Sequence, residues 1–436
     1  MAGSSFVKIE PEKEKMKRKI LFLCLLCLGL QQNIAQENIK TMFYNLLNFP
    51  ELSLDRLDEL EIIISDYQPD LFMVCELNDA FGAGLILTRL QMINPNYAQA
   101  TYFNNTSDDA GNDSNLLQNL IYYDSSKFIL EGQDIIPTTL RDFNRYTLKL
   151  NTVNQATNPI RVEVFVTHLK AGNSPEDELR RFLMVEEFTD YLSTIDADSK
   201  VLFAGDLNLY TSNDIAFQKL TDPTNVITLV DPVNRLGDWH TNSAFLDVMT
   251  QSTRTQGGLG GASGGFDDRF DFILTSENVL TNTDLYYVPD SYKSFGNNIN
   301  PDCYNRAINS SDCAEVPGSG ISYSQALRNA LHDMSDHLPV VMELETNEQL
   351  LNTAQFTAKN TFQFIRGNIA EDQLAFMLNS AATSNEYVIY DVLARKLMSG
   401  KVKNNDITNI NVANLPKGIY YLKIDDFTET KKFIKR

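Results

Sequence analysis

The sequence is poor in the residues that build several common kinds of functional site. Its 436 residues include four histidines, five cysteines and one tryptophan. None of these cysteines and histidines is clustered with the spacing of a zinc site. Basic residues are also outnumbered, with 37 Lys and Arg against 57 Asp and Glu, which gives a net charge of −20. This balance disfavours a protein that holds nucleic acid by general electrostatic attraction, although a local basic patch or bound cations can still bring a phosphate in.

Long hydrophobic runs are almost absent as well. The clearest is Ile20 to Leu30, which is too short to span a bilayer comfortably. A mostly basic stretch, Lys13 to Lys19, precedes it, and a polar segment that ends at Ala35 follows it. This order predicts a secretory signal peptide over residues 1–35, with a membrane anchor as the alternative. We expect no stable membrane insertion of the mature chain, and we expect a monomer.

Removal of that segment leaves three cysteines. Cys303 and Cys313 lie in a loop rich in Pro, Asn and Ser, and in an exported protein they could form a local disulfide. Cys75 lies in an apolar strand and is interpreted as a buried small hydrophobe.

The most informative stretch runs from Val201 to Tyr210. An apolar run meets Gly205 and then presents Asp206 and Asn208, which is typical of a buried strand that opens into an active-site loop. A carboxylate that orients or deprotonates water, beside an amide that donates to an oxyanion, suits hydrolysis at a phosphorus or carbonyl centre. A simple turn at the strand end is the alternative, because Gly, Asp and Asn are favoured there for backbone reasons.

Five further stretches also place a polar group at the end of an apolar run. Periodicity predicts helices over 52–65, 175–192 and 323–331, interleaved with strands, one of which is expected to begin at Asp267. The polar residues at the strand ends are Asn45, Glu76, His168, Asp271, and the pair Asp336 and His337. Each has an ordinary structural explanation when taken alone. Together they predict a site for metal-assisted hydrolysis along one edge of a sheet.

These stretches resemble the endonuclease/exonuclease/phosphatase superfamily, which includes deoxyribonucleases, sphingomyelinases and inositol-polyphosphate phosphatases. The resemblance runs from Thr41 to Leu344, and its most specific motifs are Gly205-Asp206-Leu207-Asn208 and Ser335-Asp336-His337-Leu338-Pro339. It implies an α/β fold, a four-layer α/β sandwich in which two packed β-sheets are flanked by helices. The catalytic domain is predicted over 36–345.

The resemblance also implies roles for the residues. Glu76, Asn45 and Asp336 would hold a divalent cation, expected to be Mg²⁺ with Mn²⁺ or Ca²⁺ as alternatives, since oxygen ligands suit such hard cations. His337, fixed and charged by Asp271, would contact the scissile phosphate. The other implied roles are orientation of water by Asp206, donation to the phosphoryl oxygens by Asn208, contact with the phosphate or leaving oxygen by His168, and substrate binding by Lys170 and Arg269. The family's acidic partner for His168 is replaced by residues of the stretch Leu117-Gln118-Asn119.

The last part of the chain has a different character. Residues 346–361 are polar and without pattern, and a linker is predicted there. Short β-like runs separated by turn residues follow, which predicts a small all-β sandwich over 362–436. The motifs Tyr387 to Asp391, Leu415 to Tyr420 and Lys432 to Lys435 resemble the type A sorting domain of the type IX secretion system of Bacteroidota. The resemblance implies the secretion machinery as a partner and a location at the cell surface or in the medium.

Three functions follow as hypotheses. The first is a secreted metal-dependent phosphodiesterase that acts as a nuclease on DNA or RNA. The second is a phosphatase or phospholipase C of the same fold, acting on an inositol phosphate or sphingomyelin, and the third is a non-catalytic adhesin. Cations that could line a nucleic-acid site are Arg141, Arg145, Lys170, Arg180, Arg181, Arg254 and Arg269.

Overall fold

The structure is a computed structural model that describes most of the chain after the predicted signal peptide. The described residues are 37–51, 53, 56–107, 117–351, 361–364, 368–379, 386–392, 395–402, 408–424 and 430–436. The signal peptide predicted over 1–35 and most of the predicted linker lie outside these ranges. No helix within them is long and apolar enough to cross a membrane.

Within the described residues, one mixed sheet contains seven strands. They are β1 (Glu37–Phe49), β2 (Leu71–Leu77), β3 (Tyr97–Gln99), β4 (Gln118–Asp124), β11 (Tyr286–Tyr287), β12 (Lys293–Ser294) and β13 (Val340–Thr346). Their order is β11-β13-β1-β2-β4-β3, and β12 also pairs with β13. The one parallel pair described here is β1 with β2, so these two strands end at the same edge of the sheet.

The second mixed sheet contains six strands among the described residues. They are β5 (Phe128–Ile136), β6 (Phe143–Leu150), β7 (Arg161–His168), β8 (Val201–Asp206), β9 (Leu229–Val230) and β10 (Asp271–Ser276), in the order β5-β6-β7-β8-β10-β9. Its parallel pair is β7 with β8, and the remaining pairs are antiparallel.

Alternation along the strands explains how the two sheets pack. Val164 and Val166 of β7 belong to the core that the two sheets share, whereas Phe165 between them joins a core on the opposite face. Leu202 and Phe203 of β8 divide in the same way. Because both faces of this sheet are buried, its central strands are continuous apolar runs.

Helices cover the outer faces. They are α1 (Arg56–Tyr67), α2 (Ala80–Ile93), α3 (Pro175–Leu192), α4 (Ile215–Leu220), α5 (Glu277–Thr281) and α6 (Gln325–Met334). The apolar faces of α1 and α6 pack into the first core, and those of α3 and α4 into the second. The prediction of two packed sheets flanked by helices is confirmed.

The C-terminal strands form two small sheets around a core of their own. Strands β14 (Thr361–Phe364), β16 (Gln373–Asn379) and β19 (Thr408–Asn411) form one sheet. Strands β15 (Ile369–Ala370), β17 (Glu386–Asp391), β18 (Lys396–Lys401), β20 (Gly418–Ile424) and β21 (Thr430–Lys435) form the other. Phe376 of the first sheet and Leu422 and Phe433 of the second share one apolar core, as expected of a small β-sandwich.

Two stretches differ from the sequence-based expectation. The start of the predicted linker is packed rather than free, because Val153 N donates to Gln349 O at 2.9 Å and Leu350 is 6% exposed. The strand expected from Asp267 begins only at Asp271, since Asp268 is bridged to Gln251 instead.

Candidate active site

The two sheets bring their polar strand ends together. Asn45 and Glu76 stand near the ends of β1 and β2, and His168 and Asp206 stand at the ends of β7 and β8. Asp206 is the register partner of His168 on one side and of Asp271 on the other. The predicted grouping of these side chains at one edge therefore follows from the two parallel pairs.

Asn45 lies at the centre of the group. Its amide nitrogen donates to Glu76 Oε1 and to Asp206 Oδ2, both at 3.0 Å, and lies 3.4 Å from His337 Nε2. Its carbonyl oxygen accepts from Leu47 N at 2.9 Å. In this arrangement Asn45 positions the two carboxylates, and its oxygen would face a metal only after the side chain turned over.

Burial sets the electrostatics of these carboxylates. Asp206 is 2% exposed, and burial, together with the charges of Asp271 and Glu76, raises its pKa to about 8 against the opposing effect of His337. Burial likewise raises the pKa of Glu76. The group thus gathers carboxyl groups out of water, and an added cation would favour their ionised forms.

His337 is the cationic member of the group. Its Nδ1 lies 2.6 Å from Asp271 Oδ2, and its Nε2 lies 3.7 Å from Asp206 Oδ2. Burial alone would lower the pKa of His337, but Asp271, Asp336 and Asp206 outweigh it and hold the pKa well above its usual value. A charged imidazole on a carboxylate support is suited to binding an anionic group.

His168 is held in the neutral state, in contrast to the charged His337. Burial, reinforced by Arg141, His337 and Lys170, lowers its pKa well below the usual value. Its Nε2 lies 3.4 Å from Asp206 Oδ2, and its Nδ1 has no hydrogen-bond partner among the described residues.

The backbone around the group is unusual in conformation. Leu47, Asn48, Glu76 and Asn208 all have positive φ, with values of 46°, 51°, 54° and 50°. Such conformations cost of order 1–3 kcal/mol each for residues with a side chain. Four of them at one strand edge show that surrounding structure holds these loops in place.

Asn208 is anchored rather than free. Its backbone N donates to Asp206 Oδ1 at 3.2 Å, and its side chain donates to Leu169 O at 3.3 Å. Donation from Asn208 to a phosphoryl oxygen stays a prediction.

The side chains present fit a divalent metal ion. Glu76, His168 and Asp206 offer ligand atoms that lie within 4.8 Å of one another, and so do Asp206, Asp271 and His337. Asp336, predicted as a ligand, accepts from Ala262 N through Oδ2, while its Oδ1 has no hydrogen-bond partner among the described residues. Carboxylate oxygens with unused acceptor capacity are the donors that Mg²⁺ and Mn²⁺ prefer.

The structure contradicts one predicted role. Arg269 is fully buried, and its guanidinium is paired with Asp231 through two hydrogen bonds of 2.9 Å. It packs against Phe272 in the core and cannot reach a substrate. The sequence misled here because Arg269 lies only two residues before Asp271, yet it stands outside strand β10 and its guanidinium is held by Asp231 and Tyr292.

Lys170 is partly exposed, and its ammonium group is already paired within the chain. Its ammonium group pairs with Asp177 at 3.0 Å, in the first turn of α3, and donates to Ala171 O. Arg145, Arg180 and Arg181 are likewise paired with acids, Glu163, Glu176 and Asp214. Arg141 holds the backbone beside His168 through hydrogen bonds to His168 O and Leu169 O.

Gln251 is a site residue that sequence reasoning missed. Its amide nitrogen lies 2.6 Å from His337 Nε2 and 3.4 Å from Asp336 Oδ2. It lies in a loop after the short 3-10 helix Ser243–Val248, so no apolar run marked it. Outside this group, Cys303 and Cys313 are joined by a disulfide, and Cys75 is buried and unpaired.

Comparison with known proteins adds the following. Residues 368–436 match the family model described as "Secretion system C-terminal sorting domain", which indicates secretion of the chain. No protein with a curated description matches the chain in sequence.

Solved structures similar to the chain share little sequence with it. The human Nocturnin catalytic domain with bound sulfate is 16% identical, with 71% of this chain and 97% of that chain covered and a TM-score of 0.43. The complex of D. rerio TDP2 with a single-strand DNA product is 15% identical, with coverage of 71% and 100% and a TM-score of 0.44. An endonuclease/exonuclease/phosphatase family protein from Bacteroides thetaiotaomicron is 15% identical, with coverage of 71% and 98% and a TM-score of 0.43. Such values are too low to transfer an activity.

Proposed function

We propose that this protein is a secreted, divalent-metal-dependent phosphodiesterase that hydrolyses nucleic acid outside the cell. The observation that carries the proposal is the contact group of Asn45, Glu76, His168, Asp206, Asp271 and His337, drawn from both sheets. It sets buried carboxylates directly beside a charged imidazole. Hydrolysis of a phosphodiester needs both, since water must be activated while the phosphate's negative charge is balanced.

Each residue of the contact group has a separate role in the proposed hydrolysis. Asp206 orients the attacking water and accepts its proton, as its raised pKa favours. His337, charged and fixed by Asp271, contacts a phosphoryl oxygen. Glu76 with Asp206 and Asp336 would hold the metal, which when bound polarises the phosphate and offsets the charge that builds on it.

Two further residues support this arrangement. Asn45 keeps the carboxylates in place through its two hydrogen bonds. His168, neutral at physiological pH, presents a ring nitrogen beside Asp206, where it can contact the phosphate or the leaving oxygen without adding a second positive charge.

The test is release of acid-soluble nucleotides from double-stranded DNA by the mature chain, with Mg²⁺ and with chelator. We expect release that requires the metal and that falls by about 10²- to 10⁴-fold in Asp206→Ala, the range for loss of a general base. A folded, metal-loaded protein that releases nothing from DNA or RNA would refute the nuclease proposal. Inositol phosphates and sphingomyelin would then be the next substrates to assay.

A further inference from the structure

A second polar site lies on the other side of the loop that covers Asp336. A cavity of about 560 Å³ opens between the start of α1, the end of α6 and the loop that follows Arg254. Its wall includes Arg56, Arg254, Gly258 and His332. None of these residues belongs to the contact group described above.

Arg254 is the unusual residue of this wall. Its side chain is 3% exposed, and its Nε donates to His332 O at 2.9 Å. Neither of its two terminal nitrogens has a hydrogen-bond partner among the described residues. Buried guanidinium groups are nearly always paired, because an unpaired buried charge costs several kcal/mol.

The surroundings do not supply the missing acceptor. Arg56, the other guanidinium of the wall, donates to the backbone oxygens of Leu46 and Met334. The Tyr44 hydroxyl is also buried and without a hydrogen-bond partner in the described residues. The terminal nitrogens of Arg254 and the Tyr44 hydroxyl therefore all have unused hydrogen-bonding capacity.

The acidic residues of the cavity wall do not pair with Arg254. Asp333 is paired with His332 at 2.7 Å, at the end of α6. Burial and the neighbouring charges of Asp333 and Asp58 raise the pKa of Glu59. Neither carboxylate forms an ion pair with Arg254 in the described structure.

The glycines of the loop keep space free above Arg254. A Cβ atom at Gly258 would meet only Arg254 Cδ, at 3.9 Å, and one at Gly257 would meet nothing within 4 Å. A ligand group entering from the cavity would therefore meet backbone and the Arg254 side chain.

The loop that lines the cavity also contacts Asp336 of the candidate active site. Thr253 N donates to Asp336 O at 3.1 Å, and the loop returns to donate from Ala262 N to Asp336 Oδ2 at 2.6 Å. One loop therefore walls both sites, and a polymer lying across it would present one phosphate to each. A strand of duplex DNA carries one phosphate per ~3.4 Å of helix axis, so a strand bound at one site has further phosphates close by.

From these contacts we infer that Arg254 forms a second phosphate subsite, which binds a phosphate of the nucleic-acid strand other than the one that is cleaved. The guanidinium fork matches two phosphate oxygens, and a buried acceptor of this kind satisfies both unpaired nitrogens at once. The inference rests on the proposed function and narrows it, because a subsite of this kind selects polymers over isolated phosphate esters.

The test measures binding of a short, fluorescently labelled single-stranded DNA to the mature chain in chelator, over a range of salt concentrations. Arg254→Gln should weaken binding by about 10- to 100-fold, the range for a hydrogen bond to a charged group. It should also reduce the slope of log K against log salt by about 0.7, the value for one phosphate contact on a single strand. Arg306→Gln removes an exposed arginine paired with Asp312 and should leave both quantities unchanged.

A second variant keeps the test independent of folding. Gly258→Asp places a carboxylate beside Arg254, where it occupies the subsite from within the chain. We expect weaker DNA binding together with an unchanged or higher melting temperature, because the buried guanidinium gains a partner. Gly84→Asp adds the same charge at an exposed position with nothing within 4 Å, and should leave DNA binding unchanged.

Hydrolysis of bis(4-nitrophenyl) phosphate with Mg²⁺ separates this inference from the proposed function. The small diester has no second phosphate, so the Arg254→Gln variant should cleave it at the wild-type rate. The KM of this variant for DNA should be higher than that of the wild type. Equal loss on both substrates would place Arg254 in the catalytic centre and overturn the subsite. Wild-type DNA affinity and salt slope in Arg254→Gln, or no DNA binding by the wild-type chain, would overturn it as well. Failure of the wild-type chain to cleave any ester would instead count against the proposed function.

Discussion

His168 and His337 lie on either side of Asp206, and their surroundings drive them to opposite charge states. His337 lies 2.6 Å from Asp271, with Asp206 and Asp336 nearby, whereas His168 is buried beside Arg141 and its nearest carboxylate, that of Asp206, is 3.4 Å away. Groups of one chemical type with separated pKa values can take different parts in one reaction. The division depends on Asp271, which approaches His337 to 2.6 Å.

The first prediction concerns that carboxylate. Asp271→Asn removes the negative charge behind His337 and should lower kcat for DNA by about 10²- to 10⁴-fold, as for other carboxylates that support a catalytic imidazole. Steady-state kinetics with far-UV circular dichroism would measure it. Asp190→Asn makes the same chemical change on the exposed face of α3 and is the control. A variant of Asp271 with wild-type kcat would show that the charge of His337 is not used.

The second prediction concerns pH and stability. Burial and the adjacent Asp268 raise the pKa of Asp267 to about 6, against about 3.9 in an unfolded chain. The folded state therefore binds this proton more tightly, so the ionised carboxylate destabilises the fold above pH 6, and the effect vanishes below about pH 4.

Asp267→Asn should accordingly be more stable than the wild type at pH 8. Asp267 is partly exposed, so solvent screening limits the gain to under about 1 kcal/mol. Urea unfolding at pH 8 and at pH 4.5 would measure it, with a smaller difference expected at the lower pH. A constant difference at both values would contradict the raised pKa.

At the level of elements, strand β8 places Asp206 through a close approach to β7. A Cβ atom at Gly205 would lie 2.6 Å from Thr167 O and 2.9 Å from Thr167 Cγ2, so only glycine fits between the two strands. Gly205→Ala should lower the free energy of unfolding by about 1–3 kcal/mol, as overpacking does. It should also lower activity, because Asp206 is the next residue. Denaturant unfolding and DNA hydrolysis would measure the two effects.

Gly84→Ala is the matched control for that prediction. Gly84 lies on the exposed side of α2 with open space around it, so alanine should leave activity unchanged and raise helix stability by about 0.5–1 kcal/mol. Equal destabilisation by both changes would argue against the close strand approach.

The helices and strands differ in how clearly the sequence pattern predicts them. Helix α3 begins at Pro175 after a capping box of Ser174 and Asp177, and its predicted and observed bounds coincide. Helix α2 was missed because Gly82 and Gly84 weaken its pattern, although Asp79 caps it by accepting from Gly82 N. Strand-end polar residues could be predicted because apolar runs mark where strands stop.

Contacts that depend on loops could not be predicted. Gln251 reaches His337 from a loop, and the partner of Arg269 lies 38 positions away at Asp231. Periodicity carries no information about such pairs, because they are set by how loops cross the sheet edges. For the same reason Arg254 was one of seven candidate cations for a nucleic-acid site in the sequence, and the structure sets it apart by its missing partners.

At the scale of the whole molecule, the proposed hydrolysis and the proposed sorting belong to different parts of the chain. Residues 349–351 still pack against residues 151–153, so a truncated chain should end after Leu351 rather than at the end of β13. A chain that ends there should hydrolyse DNA at the full rate but stay inside the cell envelope. Nuclease activity in the medium and in cell fractions of a host with the matching secretion system would measure this. Equal release of both forms would refute the role of the C-terminal part.

The pairing of β1 with β13 determines when the candidate site can form during synthesis or export of the chain. These strands are the first and last of the two-sheet unit, and they lie side by side from Glu37 opposite Thr346 to Phe43 opposite Val340. Asn45 comes from the first strand, and Asp336 and His337 directly precede the last. A chain that leaves the ribosome or a translocation pore amino end first cannot assemble these residues until nearly all of the unit has emerged. If the protein is the nuclease proposed above, the incomplete nascent polypeptide cannot cleave the nucleic acids of the cell that makes it.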